Sequence, residues 1–316
     1  MKLLHNPVFR KELLLRVRSW RFAATIIIYN AILSLITLFV FTISFNINYQ
    51  GSVDYMNALI LYGVMAAIQF GLVLFLVPIF TAGSIAGERE RQTLDILLTT
   101  KMRPSQIVIG KMMSSIAMVL LLGISSLPII AVVFSVGGIT MKDLLQLEIL
   151  LVVTAIYTGS LGVLGSAMFK RTIVATVFTY AGTICLCFAS YMIIFAVYMM
   201  QTIAGQTGAA PTLANLNVDI SLVLLLVSPV MSIASMMSQQ IGGGTYLFEG
   251  ILDTMGTLPN FIVEHWFSIS MVVQLVLAVG FLVLASKRLD PLRKRKYKEK
   301  RKKNQNQAGD GLQQGT

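Results

Sequence analysis

The stretch Gly87-Glu88-Arg89-Glu90-Arg91-Gln92-Thr93-Leu94-Asp95-Ile96-Leu97-Leu98-Thr99-Thr100-Lys101-Met102-Arg103-Pro104 determines how the rest of this chain is organised. It places three carboxylates and four cationic side chains between two long apolar runs. Because charged side chains are unfavourable at bilayer depth, the stretch has to lie outside the hydrocarbon. Leu94, Leu97 and Leu98 are spaced i, i+3, i+4 and therefore share one face of a predicted short helix. That face either docks against a partner or rests on the membrane surface, and the pattern alone leaves both interpretations open.

The composition is that of a polytopic membrane protein. Of the 316 residues, 56% are hydrophobic and 12% are charged, and the mean hydropathy is +0.77. An average soluble domain carries about 25% charged residues. Cys185 and Cys187 point to different sides of a helix, and His5 and His265 have no partners at metal-ligand spacing. The sequence therefore predicts neither a disulfide nor a metal site.

Stretches without charge predict where the chain crosses the membrane. A crossing helix needs about 20 apolar residues, and each stretch is long enough. Six spans place all of the 25 lysines and arginines except Lys142 on the cytoplasmic side, as the positive-inside rule favours. A seventh span at Ile220–Phe248 would put the basic C-terminal tail outside. We therefore predict an all-α transmembrane domain over residues 22–286, with both termini cytoplasmic and spans at Phe22–Val53, Tyr55–Gly87, Met112–Met141, Ile149–Phe169, Thr172–Val218 and Trp266–Ser286.

The omitted stretch lies in a predicted external region, residues 201–265. Its apolar part is interrupted by Ser228-Pro229 and is followed by Gly242-Gly243-Gly244, and a second, partly apolar segment follows at Phe248–Val263. We predict a pair of short re-entrant helices that dip into the outer leaflet without crossing it. Irregular backbone at that depth has to be buried in protein or face water, so this region is expected to pack over the bundle.

The N-terminal segment, residues 1–21, is predicted to be an amphipathic cytoplasmic helix. Asn6-Pro7 is typical of a helix start, because asparagine caps a helix and proline fits its first position. A helical stripe of apolar residues follows, formed by Phe9, Leu13, Val17 and Trp20. Such a helix lies in the membrane interface with its tryptophan at headgroup level. The alternative interpretation is a basic flank that only fixes the topology.

Much of the net charge of +11 lies in the tail, residues 287–316. Basic clusters next to a span bind anionic lipid with about 1 kcal/mol per charge near the surface. We interpret Lys287–Lys303 in this way, and nothing in its pattern indicates nucleic-acid binding. The remainder, Asn304–Thr316, is polar and low in complexity, and we expect it to be partly disordered.

The interiors of the predicted spans carry few signals of chemistry. No ionisable residue lies deep within them, and Glu148 is placed at the outer edge of the fourth span, where it reaches water. Ion-coupled carriers place such residues at membrane depth, so this class is disfavoured. Gly159, Gly162 and Gly165 permit close helix approach, either at a dimer seam or in ordinary bundle packing. Gly110-Lys111 lacks the other residues of a phosphate-binding loop, so we expect no ATPase site in this chain.

Three separated motifs give the chain a family resemblance. They are Asn6-Pro7-Val8-Phe9-Arg10-Lys11-Glu12; Gly87-Glu88-Arg89-Glu90 with Thr93-Leu94-Asp95-Ile96-Leu97-Leu98-Thr99-Thr100; and Ile107-Val108-Ile109-Gly110-Lys111. In these residues the chain resembles the permease subunits of bacterial ABC exporters, in the family with six spans per subunit that is often called type V. Ser228-Pro229 is a weaker further match.

The resemblance implies a set of roles and partners. The N-terminal segment would be an elbow helix, and the loop at residues 87–111 would hold a coupling helix that docks on a separately encoded ATPase. The coupling residues would be Glu88, Arg89, Glu90, Thr93, Leu94, Leu97 and Leu98. ATP and Mg would bind in the ATPase, with no cofactor in this chain, and a second permease chain, identical or related, would complete the transporter in the bacterial cell membrane. The family often has glycine where Gln92 stands and proline where Lys101 stands.

The sequence thus favours an exporter permease driven by ATP hydrolysis in a partner subunit. The competing hypothesis is a membrane protein that transports nothing, such as a scaffold or an immunity protein that sequesters its ligand. Such a protein would not need the loop at residues 87–111. The substrate stays open among peptides, drugs, lipids and ions.

Overall fold

The predicted all-α class is confirmed by a computed structural model. It describes residues 12–15, 17–46, 55–94, 104–136, 139–207, 225–241 and 265–289. Within these ranges 94% of the residues are helical and no strand occurs. Phe9, Leu97, Leu98, the second predicted re-entrant helix and the part of the basic tail after Leu289 lie outside the described residues.

Two helices begin well before the charge-free stretches that predicted them. The third predicted span began at Met112 and the fourth at Ile149, whereas the corresponding helices begin at Pro104 and Met141. Lys111 and Glu148 are therefore part of helices and do not mark their ends. In chain order the helices are α1 (Trp20–Asn46), α2 (Tyr55–Glu90), α3 (Pro104–Val136), α4 (Met141–Met168), α5 (Thr172–Thr207), α6 (Pro229–Ile241) and α7 (Trp266–Leu289).

Among the described residues, five helices are long and apolar enough to cross a membrane, so the chain is a multi-pass membrane protein. These candidate spans are Trp20–Ile43, Ala58–Glu90, Pro104–Ser135, Met141–Met168 and Trp266–Leu289. The remaining predicted span falls on α5, a helix of 36 residues. Its described apolar part, Thr172–Phe188, is shorter than the other five.

Helices α2 to α5 alternate in direction. The end of α2 meets the start of α5, where the Thr172 amide donates a hydrogen bond to Glu90 Oε1 at 2.8 Å. Arg89 reaches the Phe169 carbonyl, directly after α4, at 2.9 Å. We call this side of the bundle the charged end. At the opposite end Tyr62, near the start of α2, lies beside Gln240 at the end of α6, with their oxygens 2.9 Å apart.

Helix α4 occupies the centre of the bundle. In the most apolar stretch of 18 residues in each helix, 78% of the residues are buried in α4, against 17% in α1 and 22% in α7. Its glycines face neighbouring helices of the same chain: a Cβ at Gly159 would lie 3.3 Å from Val77 Cγ1, and one at Gly162 would overlap Thr81 Oγ1. Of the two interpretations that the sequence left open for these glycines, the structure supports bundle packing.

The short helix α6 lies inside the bundle. At 13 residues it is about 20 Å long, which is less than the hydrocarbon thickness of about 30 Å. Ser228 stands directly before it and donates a hydrogen bond to the Cys187 carbonyl at 3.3 Å, while Ser232 accepts one from Gln274 Nε2 at 2.7 Å. Its last turn contacts Tyr62 at the opposite end, so the C-terminal end of α6 lies there, while its first residues lie deeper in the bundle beside Cys187.

Replacing Gly162 by alanine should destabilise the protein. The added methyl group would overlap Thr81, and overpacking of this kind costs about 1–3 kcal/mol. Gly280→Ala is the matched control, because a Cβ there meets nothing within 4 Å and alanine favours a helix over glycine by about 0.5–1 kcal/mol. Thermal unfolding of the purified chain in detergent should show a lower midpoint for Gly162→Ala only. Equal midpoints for the two variants would contradict close packing at Gly162.

Candidate functional site

The last turn of α2 ends in a hydrogen-bonded reversal of the chain. The Thr93 amide donates to the Glu88 carbonyl at 2.9 Å, and the Gln92 amide donates to the Arg89 carbonyl at 3.2 Å. This pair of bonds defines a Schellman motif, in which the residue after the helix adopts a left-handed conformation. Gln92 does so with φ of 58°. Glycine adopts that conformation without the steric penalty of a Cβ, which is a physical reason for glycine at this position in the family that the sequence resembles.

The reversal directs Leu94 back into the protein. Leu94 is 5% exposed and belongs to an apolar cluster with Ile85 of α2, Ile107 of α3 and Leu289 of α7. In this structure its side chain therefore packs against the chain itself and not on the surface. Leu97 and Leu98, which complete the predicted apolar face, are outside the described residues, so docking through that face stays a prediction.

Lys111 is buried between two carboxylates. Its ammonium nitrogen lies 2.9 Å from Glu88 Oε1 and 3.5 Å from Glu12 Oε1, and its side chain is only 2% exposed. The Ser114 hydroxyl donates to the other oxygen of Glu12 at 3.2 Å. A buried ammonium group is tolerated when it is paired and hydrogen-bonded in this way. We call Glu12, Glu88 and Lys111 the charge triad.

The charge triad joins the three sequence motifs that are separate along the chain. Glu12 ends the first motif, Glu88 lies in the second and Lys111 ends the third. Sequence reasoning did not predict this pairing. A signal for it was present, since a lysine at the edge of a long apolar stretch needs a carboxylate partner, but the spacing gives no indication of which carboxylate supplies it.

Arg89 and Glu90 hold the corner between α4 and α5. Arg89 donates to the carbonyls of Phe169 and Ala167 at 2.9 and 3.3 Å, where α4 ends. Glu90 accepts from the amide and the hydroxyl of Thr172 at 2.8 and 2.7 Å, where α5 begins. A cation at a helix C-terminus and an anion at an N-terminus both complement the helix dipole. Two adjacent side chains of α2 therefore fix the ends of two other helices.

The described residues leave a small exposed surface at this reversal. Arg91, Gln92 and Thr93 are exposed, and the Thr93 hydroxyl donates to the Glu88 carbonyl at 3.2 Å. Glu88, Arg89 and Glu90, which the sequence predicts as coupling residues, bind other parts of the same chain. A partner that contacts the exposed surface would thus act on α3, α4 and α5 through these three side chains.

The predicted interfacial helix is only partly described. Leu13 is half-buried, Val17 is 43% exposed and Trp20 is 80% exposed. Ser19 caps α1, because its hydroxyl accepts a hydrogen bond from the Phe22 amide at 3.3 Å. An interfacial helix exposes apolar side chains in this way. Glu12, which lies in the same segment, belongs to the charge triad through its ion pair with Lys111.

Comparison with known proteins identifies a family. The family model described as ABC-2 family transporter protein matches residues 6–290, which is most of the chain. The match includes every described residue and all three motifs that meet at the charged end. No curated protein matches the chain.

Lys111→Met should destabilise the protein by about 3–5 kcal/mol, because it leaves two neighbouring carboxylates without their cation. Replacing both carboxylates as well, in Lys111→Met with Glu12→Gln and Glu88→Gln, should restore most of the loss. Lys170→Met is the control, since Lys170 is exposed at the same end. Chemical or thermal unfolding of the four proteins measures these differences. A Lys111→Met variant as stable as Lys170→Met would contradict the charge triad.

Proposed function

The chain belongs to the ABC-2 family of transporter proteins as a membrane permease subunit, and we propose that it exports its substrate with energy from a separate ATPase subunit. The observation that carries the proposal is the charge triad with its neighbours Arg89 and Glu90. They connect the reversal after α2 to four other parts of the chain: the segment before α1, the start of α3, the end of α4 and the start of α5.

The proposed mechanism is mechanical. Two ATPase subunits close on ATP and Mg and press on the coupling segment that contains Leu94, Leu97 and Leu98. The displacement passes along α2 and, through Glu88, Arg89 and Glu90, to the helices that these residues hold. Packed helices respond by discrete shifts and not by gradual deformation, so a small push at one end is able to reorganise the bundle. Two permease chains then open a path at their interface toward the outside.

We further propose six spans with both termini in the cytoplasm of a bacterial cell. The sixth span is α5, and the charged end faces the cytoplasm, in agreement with the bias of lysine and arginine along the sequence. Under this topology α6 is a re-entrant helix that enters from the outside. Hydrogen bonds of Ser228 and Ser232 to the Cys187 carbonyl, Ser270 and Gln274 satisfy polar groups at α6 within the bundle, as the hydrocarbon requires.

The alternative, a scaffold or immunity protein that sequesters a ligand, finds no specific support. Sequestration needs a binding surface but no connection between a surface segment and the ends of several helices. The contacts of Arg89 and Glu90 with the ends of α4 and α5 suit a protein in which a displacement at the surface is transmitted to these helices.

Topology is tested with single cysteines at Lys142, Lys170 and Thr207 in a chain lacking Cys185 and Cys187. Lys142 lies in the first turn of α4 and Lys170 lies just after its end, and both are exposed; Thr207 is the last residue of α5. An impermeant maleimide should label positions 142 and 207 from outside intact cells, and position 170 only after permeabilisation. Labelling of positions 170 and 207 from the same side would contradict a sixth span at α5.

Export is tested by expressing the chain with its wild-type ATPase and with a hydrolysis-deficient ATPase at matched levels. Accumulation of a panel of labelled peptides, lipophilic dyes and fluorescent lipids is then measured in cells. We expect at least one compound to accumulate more with the deficient ATPase. A cell without the chain is the control, and the purified chain alone should hydrolyse no ATP. A phenotype that depends on the chain but is equal with both ATPases would reject export in favour of sequestration.

A further inference from the structure

A cluster of polar side chains lies in the interior of the bundle, away from the charged end. It comprises Tyr29 of α1, Gln69 of α2, Ser126 of α3 and Glu148 of α4. Each residue lies within one of the five candidate spans and at least seven residues from either end of it, which corresponds to about 10 Å of helix. Tyr29 is 2% exposed, and Gln69 and Ser126 are fully buried. Four helices thus contribute polar groups to one place at membrane depth.

The carboxylate of Glu148 is inserted between helices. It rests on Gly123 of α3, where a Cβ would lie 2.8 Å from Glu148 Oε2, so the absence of a side chain at Gly123 lets the carboxylate take this position. Glu148 Oε1 is buried and accepts no hydrogen bond of standard geometry from the described residues. None of the described lysines or arginines forms a salt bridge with it. Glu148 as a whole is half-buried, so the expectation that its carboxylate reaches water stays a prediction for the other oxygen, Oε2.

The residues around Glu148 also have unused hydrogen-bonding capacity. Gln69 donates through Nε2 to the Ser126 hydroxyl at 3.1 Å, but its carbonyl oxygen, Oε1, has no donor. The buried Tyr29 hydroxyl lies within hydrogen-bonding range of Gln69 and Ser126 and close to Glu148, but it makes no hydrogen bond of standard geometry with any of them. Buried polar groups are normally satisfied, and a bound ion or water is one way in which such groups acquire their partners. Here the unsatisfied atoms are all oxygens.

Charge and ligand type indicate which species fits. One carboxylate supplies a single negative charge, and amide and hydroxyl oxygens supply neutral ligands. Hard cations prefer such oxygens, whereas transition metals select imidazole or thiolate ligands, and no group of three His, Cys, Asp or Glu residues occurs in the described part. A single charge matches a monovalent cation better than a divalent one, which usually recruits several carboxylates.

We propose that Glu148, Gln69, Tyr29 and Ser126 form a binding site for a monovalent cationic group, either an alkali ion or the ammonium group of an organic molecule. The carboxylate provides the countercharge and the three neutral residues provide oxygen ligands. Gly123 makes room for the carboxylate on α3. Binding at this site requires no ATPase, so its test is independent of whether the chain exports a substrate.

The test uses the full-length chain in nanodiscs of zwitterionic lipid at a fixed neutral pH. N-methylglucamine chloride, whose cation is bulky, is replaced at constant ionic strength by NaCl, KCl or propylammonium chloride. A ligand that binds only the folded state raises Tm as its concentration increases. We expect at least one of the three cations to raise Tm, and the response to sodium or potassium compared with propylammonium distinguishes an alkali site from an ammonium site.

Variants separate the site from general effects of salt. Glu148→Gln should weaken the apparent affinity at least about tenfold, because it removes the countercharge. Tyr29→Phe removes one oxygen at nearly constant volume and should weaken it about fivefold; this variant carries the test if Glu148→Gln does not fold. Asp143→Asn is the matched control, since Asp143 lies on the same helix but serves in the capping box with Thr140. Its response should equal that of the wild type.

The outcomes are distinct. No rise of Tm with any of the three cations overturns the proposed site. A rise that is unchanged in Glu148→Gln or in Tyr29→Phe, or a rise that Asp143→Asn abolishes, overturns it as well, because the cation would then act elsewhere on the protein. A rise that only the two site variants weaken supports the proposal.

Discussion

The buried ammonium group of Lys111 is the constraint on which the charged end depends. A lysine that is 2% exposed has to be neutralised, and the two carboxylates that do so come from the segment before α1 and from the last turn of α2. Satisfying this one charge brings together three motifs that are far apart along the chain. Glu88 also accepts, through its backbone carbonyl, the Thr93 hydrogen bond that closes the chain reversal at Gln92, so the charge triad and the reversal share this residue.

Helix α2 connects the two ends of the bundle. At the charged end its residues Arg89 and Glu90 hold the corner of α4 and α5, and in the middle it packs against the glycines of α4 through Val77 and Thr81. Small residues let the backbones of two helices approach closely and pack tightly. A force applied after α2 would therefore reach α4, the most buried span, by both routes.

The interior of the bundle is less empty of charge than the sequence indicates. Glu148 lies in α4, and the cluster around it contains hydrogen-bonding atoms without partners. An ionisable group at membrane depth is usually retained for function. The cluster lies between α1, α2, α3 and α4. Glu148 belongs to α4, which is also the central helix whose end Arg89 contacts at the charged end. A permease driven by a partner ATPase and an interior cation site are compatible, since the first concerns the energy source and the second concerns what is bound.

The sequence by itself determined the class and much of the organisation: apolar runs of about 20 residues require crossing helices, and a charged loop between them has to lie outside the hydrocarbon. It also identified the motifs whose residues meet at the charged end. Only the tertiary structure decided which charges pair, because Glu12 and Glu88 are both near an apolar run and spacing does not show that Lys111 reaches both. It likewise placed Leu94 inside the protein and Glu148 beside Gly123. Helical periodicity specifies which residues share a face, but only packing against other helices specifies what that face contacts.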